Sequence, residues 1–222
     1  MGLFHSPSII RQDLTFLLDA ANTKSYSGSG STWTDISGKG NNGTLTNTGN
    51  IAHETGSHLK FNEGNTGGTG YVEMGTVVES ADKYTKNIWF RTNAANTNNL
   101  MSGTGAVSTV FWTAGTEYRI YAGHGLSYYQ VDYNPVGSGT GLRDWHNACV
   151  TYGSTTLKLY VNGKLEDTAS SSDPSNFTLH IGAYGNANEL SGDVAYASLY
   201  NRTLTDAEVK QNFEALRGRF GI

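Results

Sequence analysis

The stretch LKLYVNGKLEDTA, residues 157–169, decides the fold class. Two runs rich in branched and aromatic residues flank Asn162-Gly163, and both residues of this pair tolerate the positive φ of a type I′ turn. An Asn-Gly pair between two such runs is the strongest local signal for a β-hairpin. We therefore predict two antiparallel strands, 157–161 and 164–169, joined by a two-residue turn.

The composition of the whole chain is typical of the same class. The 222 residues include 28 Gly, and Gly, Asn, Ser and Thr together make up about 42% of the chain. These residue types suit turns and pleated surfaces. Charged residues are 15% and aromatic residues 11% of the chain, so helix formers are scarce while a core can still form. The composition excludes a helical bundle, a coiled coil, a doubly wound α/β enzyme and a disordered chain.

Further short apolar runs are predicted to be strands, with Gly and Asn between them. They are 14–20, 58–61, 71–74, 86–92, 107–112, 117–122, 127–133, 145–152, 177–184 and 193–201. Many short strands of this kind predict an all-β, two-sheet antiparallel jelly-roll sandwich. The stretch 22–50 is predicted to be mostly loop.

One helix, 206–217, is predicted near the C-terminus. Thr205 and Glu208 form a capping box, in which the Thr side chain caps the helix and the Glu side chain bonds back to the cap. Apolar residues such as Phe213 follow at helical spacing and would pack on the sandwich. Gly218 is expected to end the helix.

The charge balance and the single cysteine exclude several functions. The chain has 15 basic and 19 acidic residues, with a net charge of −4, so we expect no nucleic-acid partner. No long apolar run and no signal peptide are seen, so we expect no membrane partner and synthesis in a cytoplasm. Cys149 lies in the apolar run ACVTY and is predicted to be a buried, unreactive thiol.

We find no catalytic or cofactor motif. Glu166 and Asp167 are adjacent and would point to opposite faces of a strand. Glu189 and Asp193 flank a predicted turn, so neither pair suits glycoside hydrolysis. The six histidines lack metal-ligand spacing, and the Gly-rich stretches match no phosphate-binding loop. We therefore predict no catalytic residues, no metal and no cofactor, and that the protein is not an enzyme.

The candidate binding residues are aromatic. Trp112, Tyr128, Tyr129 and Tyr133 lie close together in the sequence, near Tyr121. Exposed rings beside amide side chains can stack on sugars, so these four residues are a candidate ligand platform. Two alternatives stay open: half of the rings belong to the core, or the rings form a protein–protein surface. Tyr128 and Tyr129 point to opposite faces of a strand, so at least one should face outward.

The N-terminal segment, 1–13, is predicted to be an arm outside the domain that spans 14–222. Its apolar residues Leu3, Phe4, Ile9 and Ile10 are costly to leave in water. We therefore interpret them as a segment that docks on a partner protein.

Four segments carry a family resemblance: 14–47, 145–152, 157–166 and 192–222. Together they resemble the concanavalin A-like, laminin-G-like jelly-roll family, in the form found in virion proteins of tailed bacteriophages, particularly large marine and cyanobacterial phages. The resemblance implies a two-sheet sandwich that binds glycans or proteins at a loop edge or on the concave sheet.

The same resemblance has consequences for two site types. Many relatives hold a structural calcium through an Asp of the last strand, where this chain has Ala195, so no calcium is expected there. The acidic motif of the enzymatic relatives is also absent. Asp35, Asn41 and Asn42 are expected to bond within their own loop.

The resemblance implies a non-catalytic virion structural protein, either a capsid decoration or a fibre-like subunit, on the virion surface. Its expected partners are a capsid or other virion protein and a host surface glycan, and a homo-oligomer stays open. The alternatives are a carbohydrate-binding adhesin that recognises host polysaccharide, and a glucan hydrolase.

Overall fold

The computed structural model describes residues 7–63, 69–75, 77, 82–92, 97–103, 109–114, 119–125, 127–134, 142–174, 178–185 and 187–222. The strands are β1 (Leu14–Asp19), β2 (Thr32–Trp33), β3 (Gly43–Thr46), β4 (Ile51–Glu54), β5 (His58–Phe61), β6 (Tyr71–Glu73), β7 (Lys83–Thr92), β8 (Asn98–Asn99), β9 (Met101–Gly103), β10 (Thr109–Ala114), β11 (Arg119–His124), β12 (Ser127–Tyr133), β13 (His146–Gly153), β14 (Thr156–Val161), β15 (Lys164–Ser170), β16 (Leu179–Ile181) and β17 (Gly192–Tyr200). A 3-10 turn spans Thr48–Asn50, and the helix α1 spans Asp206–Phe220.

The strands form two antiparallel layers. The larger layer has the order β15-β14-β13-β7-β17-β5-β4, and β1 also pairs with β17. The second layer consists of two ladders, β12-β11-β10-β8 and β2-β3-β6-β16-β9. The two ladders meet where the Leu100 amide donates to the Phe111 carbonyl at 2.8 Å. The prediction of an all-β, two-sheet antiparallel sandwich with one C-terminal helix is confirmed.

The core lies between the two layers because alternate residues of each strand point inward. Phe16, Leu59 and Phe90 from the large layer, and Phe111 and Ile181 from the second layer, are fully buried in one apolar cluster. Burial of each such side chain contributes about 1.5–3 kcal/mol.

The helix α1 covers the outer face of the large layer, as the capping box and apolar spacing predict. The Thr205 and Glu208 side chains form the expected capping box. The Trp89 ring stacks on Phe220 with centroids 4.0 Å apart and on Phe213 at 5.7 Å. The predicted end was wrong, because the helix runs through Gly218 and ends at the left-handed Gly221 (φ 74°). The extra turn brings Phe220 onto Trp89.

The stretch predicted as loop, 22–50, contains the strands β2 and β3. These strands have two and four residues and consist largely of Thr and Gly. Such short, polar strands give no periodic signal, and they form because Trp33 and Leu45 are buried in the core. The strands β4, β8 and β9 were missed for the same reason of length.

The described part of the N-terminal segment is not a free arm. The Ile10 amide donates to Asn212 Oδ1 at 2.8 Å, and the Tyr200 hydroxyl donates to the Ile10 carbonyl at 2.8 Å. Ile9 and Ile10 pack against the apolar cluster beneath the helix. The expectation that these two side chains are available to a partner is therefore corrected. Leu3 and Phe4 lie outside the described residues.

No helix in the described part of the chain is both long and apolar enough to cross a bilayer.

The Asn162-Gly163 hairpin forms as predicted, with Val161 paired with Lys164. Asn162 and Gly163 both have positive φ, 50° and 74°. A Cβ added at Gly163 would lie 2.7 Å from Phe213 Cδ1 on the helix. The turn therefore needs glycine both for its φ and for its space.

We predict that Gly163→Ala lowers the free energy of unfolding by about 2 kcal/mol or more, measured by urea denaturation. Gly38→Ala is the matched control, because Gly38 also has positive φ (89°) but has no atom within 4 Å of the position that an added Cβ would occupy. The control should cost about 1 kcal/mol from φ strain alone. Equal losses in the two variants would show that the contact with Phe213 has no effect.

Candidate functional site

The candidate site is built on the outer face of the second layer. Trp112 of β10 lies directly opposite Tyr121 of β11. Their neighbours Phe111 and Ala122 point into the core, so the rings of Trp112 and Tyr121 are on the opposite, outer face. The two rings stack, with centroids 5.0 Å apart and an interplanar angle of 30°.

A bulge in β12 brings Tyr129 to this face. Ala122 pairs with Val131, whereas His124 pairs with Ser127, so three residues of β12 stand opposite one residue of β11. The extra residues interrupt the alternation of inward-facing and outward-facing side chains along β12. The Tyr129 ring meets Trp112 at 5.2 Å and Tyr121 at 4.9 Å, edge to face. We call Trp112, Tyr121 and Tyr129 the aromatic cluster.

Gln130 fixes this bulge. Its Oε1 accepts hydrogen bonds from the His124 amide and from Ser171 Oγ, both at 2.8 Å. Its Nε2 donates to the Ser170 carbonyl at 3.3 Å. The Gln130 side chain therefore replaces hydrogen bonds that the bulge removes from the ladder between β11 and β12. Tyr129 is held facing outward, with 65% of its surface exposed.

A cavity of about 260 Å³ opens beside the aromatic cluster. Its walls are the rings of Trp112, Tyr129 and Tyr184 together with the amide side chains of Asn99 and Asn188. Asn99 Nδ2 donates to the Asn188 carbonyl at 3.0 Å, which joins β8 to the loop before β17 at the cavity wall. The cavity thus combines aromatic faces with amide groups and carries no charged wall residue among those described.

The structure brings together two of the four predicted platform residues. Trp112 and Tyr129 share the cavity wall. Tyr133 does not, because it pairs with Ile120 and packs inward against the core, so its assignment to the platform was wrong. The side chain of Tyr128 lies outside the described residues.

Tyr184, Asn99 and Asn188 were not predicted from the sequence. Tyr184 follows the short strand β16, and the two Asn residues lie far from the aromatic run in the chain. The pairing of β10 with β8 places Asn99 opposite Trp112, and hydrogen bonds from Asn99 to the Asn188 carbonyl bring in the loop that follows β16. No local sequence pattern reports that pairing.

Two other groups behave as predicted. Cys149 is buried, and burial raises the pKa of its thiol far above the ordinary value. Asp35 accepts the amides of Leu17 and Ser37 at 2.9 and 2.8 Å and that of Asn41 at 3.0 Å. This carboxylate therefore binds backbone amides of its own loop and of β1.

A buried polar network lies on the inner side of β11. His124 Nδ1 is 2.7 Å from the Ser172 carbonyl, so this nitrogen carries the hydrogen. His124 Nε2 then accepts from the Tyr84 hydroxyl at 2.7 Å. Burial, with a smaller contribution from the Lys86 cation, lowers the pKa of His124 to about 4. The neutral imidazole thus ties β11 to β7 and to the segment after β15.

We predict that His124 makes the fold sensitive to acid. Below pH 6.5 the unfolded chain protonates this imidazole, whereas the folded chain does so only near pH 4. Falling pH across this window therefore favours the unfolded state. Urea denaturation at pH 7 and pH 5 should show a smaller loss of stability for His124→Gln than for the wild type. The same loss in both proteins would contradict the assignment.

Comparison with known families gives one match. The family model described as the concanavalin A-like lectin/glucanases superfamily matches residues 66–210. Among curated proteins, none matches this chain in sequence.

Several solved structures share the fold. A mutant of Trypanosoma rangeli sialidase with trans-sialidase activity superimposes with a TM-score of 0.72 and 15% identity, over 97% of this chain and 35% of that one. The binding domain of botulinum neurotoxin serotype D gives a TM-score of 0.70 at 13% identity, over 92% of this chain and 52% of that one. The binding domain of botulinum neurotoxin DC in complex with rat synaptotagmin II gives 0.69 at 13% identity, over 93% and 52% of the two chains.

This chain therefore spans about a third to a half of the length of those chains. The prediction that the protein is not an enzyme is contradicted, because the structures that share its fold include sialidases. At 15% identity the likeness shows the fold alone, and that fold also occurs in toxin binding domains.

Proposed function

Because the chain belongs to the concanavalin A-like lectin/glucanase superfamily, we propose that it recognises a carbohydrate through the aromatic cluster and the cavity beside it. The observation that carries this proposal is Tyr129, which is 65% exposed although two other rings pack against it. An exposed aromatic ring at the rim of a ring-lined cavity is placed to stack on a ligand.

The chemistry of the cavity suits a neutral sugar. The aromatic faces can stack on the C–H face of a sugar ring, and the exposed amide of Asn188 can bond hydroxyl groups. The cavity, at about 260 Å³, is slightly smaller than the roughly 300 Å³ at which pockets for drug-sized ligands begin. It therefore fits one sugar residue of a longer glycan, with Tyr129 at its rim.

A protein ligand is the alternative use of the same surface. One structural neighbour is a toxin binding domain in complex with rat synaptotagmin II, and exposed Tyr and Trp residues are also common at protein interfaces. The neutral amide wall and the concave shape favour the carbohydrate.

We predict that Tyr129→Ala weakens glycan binding about 10-fold, since a stacked ring is worth about 0.5–1.5 kcal/mol beyond its buried area and that buried area is lost as well. Its free energy of unfolding should change little, because most of the side chain is exposed. Glycan-array screening followed by calorimetry of the best ligand measures the change in binding, and urea denaturation measures the change in stability.

Tyr129→Phe and Leu165→Ala are the controls. The Phe variant keeps the ring and should bind nearly as well as the wild type. Leu165 is 39% exposed on the edge strand β15 and lines no wall of the cavity, so its removal should have no effect on binding. Unchanged binding by Tyr129→Ala would refute the site.

We also propose that the domain is displayed on the surface of a bacteriophage particle, next to a capsid or other virion protein. This proposal rests only on the resemblance of residues 14–47, 145–152, 157–166 and 192–222 to virion proteins of tailed phages. We expect peptides of the chain in mass spectra of purified particles and antibody labelling of intact particles. Particles that lack the chain would refute the placement and leave the carbohydrate proposal untouched.

A further inference from the structure

A second cavity, of about 260 Å³, lies at the ends of β5, β7 and β17 in the large layer. It is thus built on a different layer from the aromatic cluster. Its charged walls are Lys60, Arg91 and Arg143 on the basic side and Glu63 and Asp193 on the acidic side. We call it the basic cavity. Its excess of cations is local, because the chain as a whole has a net charge of −4.

Arg91 is held rigidly at the wall of this cavity. It pairs with Asp193 across β7 and β17, and its Nε donates to Asp193 Oδ2 at 2.5 Å. Its guanidinium carbon also lies 5.0 Å from the centroid of the Trp145 ring. Within the described part of the chain, the bond from Nε is the only hydrogen bond of this guanidinium. The two terminal nitrogens are therefore oriented but not engaged.

The other charged side chains of the cavity wall differ in whether they form ion pairs. Lys60 Nζ pairs with Glu54 at 3.1 Å and approaches Glu63 at 4.0 Å. Asp193 is engaged by Arg91. Arg143 is exposed and makes no ion pair with any residue that the structure describes. The acidic side chains of the wall thus pair with Lys60 and with Arg91 Nε. The terminal nitrogens of Arg91 and the guanidinium of Arg143 keep N–H donors that can bind a ligand.

We propose that the basic cavity binds an oxyanion, the carboxylate or sulfate group of an acidic small ligand such as an acidic sugar. A planar guanidinium presents two parallel N–H donors that match the two oxygens of such a group. The Asp193 bond and the Trp145 ring hold the Arg91 guanidinium in place before binding, so little conformational entropy is lost when the anion arrives. Arg143, which also lines the cavity, supplies a second guanidinium for the anion.

The test is an NMR titration of the full-length, ¹⁵N-labelled protein with three sugars of similar size. Glucuronate carries a carboxylate, glucose 6-sulfate carries a sulfate ester, and glucose is the neutral reference. We expect at least one of the two anions to shift the Arg91 Nε–H resonance in a saturable way, and glucose to leave it unchanged. The comparison of the two anions identifies which oxyanion the cavity prefers.

Arg143→Gln should weaken binding of the preferred anion about 10-fold, because it removes a charge-assisted hydrogen bond. Arg217→Gln is the matched control, since Arg217 lies on the helix and pairs with Glu214. It should bind like the wild type. Absence of a shift with both anions, or equal affinity of Arg143→Gln and the wild type, would overturn the proposal.

The titration of Tyr129→Ala separates this inference from the proposed function. Anion binding at the basic cavity should be unchanged in that variant, because the aromatic cluster lies on the other layer. Loss of anion binding in Tyr129→Ala would place the acidic sugar at the aromatic cluster and would overturn the basic cavity.

Discussion

The antiparallel ladder between β7 and β17 is the constraint on which the large layer depends. β17 pairs with β7 along its length on one side. On its other side the first residues pair with β5 and the later residues pair with β1. One strand near the C-terminus therefore fixes two strands from the first third of the chain. Such long-range pairing makes folding slow relative to a helical protein of equal length, because distant segments must meet first.

This ladder also sets the geometry of the basic cavity and of the helix face. The ladder places Arg91 opposite Asp193 and, beyond a bulge at Ala195 of β17, places Trp89 opposite Tyr196. Arg91 and Trp89 share the outer face, and the helix covers Trp89 but leaves Arg91 at the edge. A register shift of one residue would turn both side chains into the core. The polar wall of the cavity and the apolar surface beneath the helix thus lie on one strand, on either side of this bulge.

The sequence predicts the parts of the fold that are encoded locally. The Asn162-Gly163 hairpin, the capping box at Thr205 and the long apolar strands are read from neighbouring residues. The strands β2, β3 and β8 could not be predicted, because they have only two to four residues and owe their pairing to the tertiary core. The same limit applies to Gly218, since the contact between Phe220 and Trp89 extends the helix beyond it.

The candidate sites show more clearly that tertiary contacts cannot be read from the sequence. Trp112 and Tyr129 could be chosen from their residue types, but Tyr133 was included because the bulge in β12 has no signal in the sequence. Asn99, Asn188 and Tyr184 join the cavity only through tertiary contacts. Asp193 was considered for a catalytic pair with Glu189, whereas the fold gives it Arg91 as a partner. Residue chemistry was predictable here, and residue neighbourhoods were not.

The burial of Cys149 has a practical consequence. It is the one cysteine of the sequence, its side chain is buried, and its thiol is held in the protonated, unreactive form. A cysteine introduced at an exposed position would therefore be the sole thiol to react with a maleimide in the folded protein. Dyes or surfaces can be attached at one chosen point without first removing a native thiol.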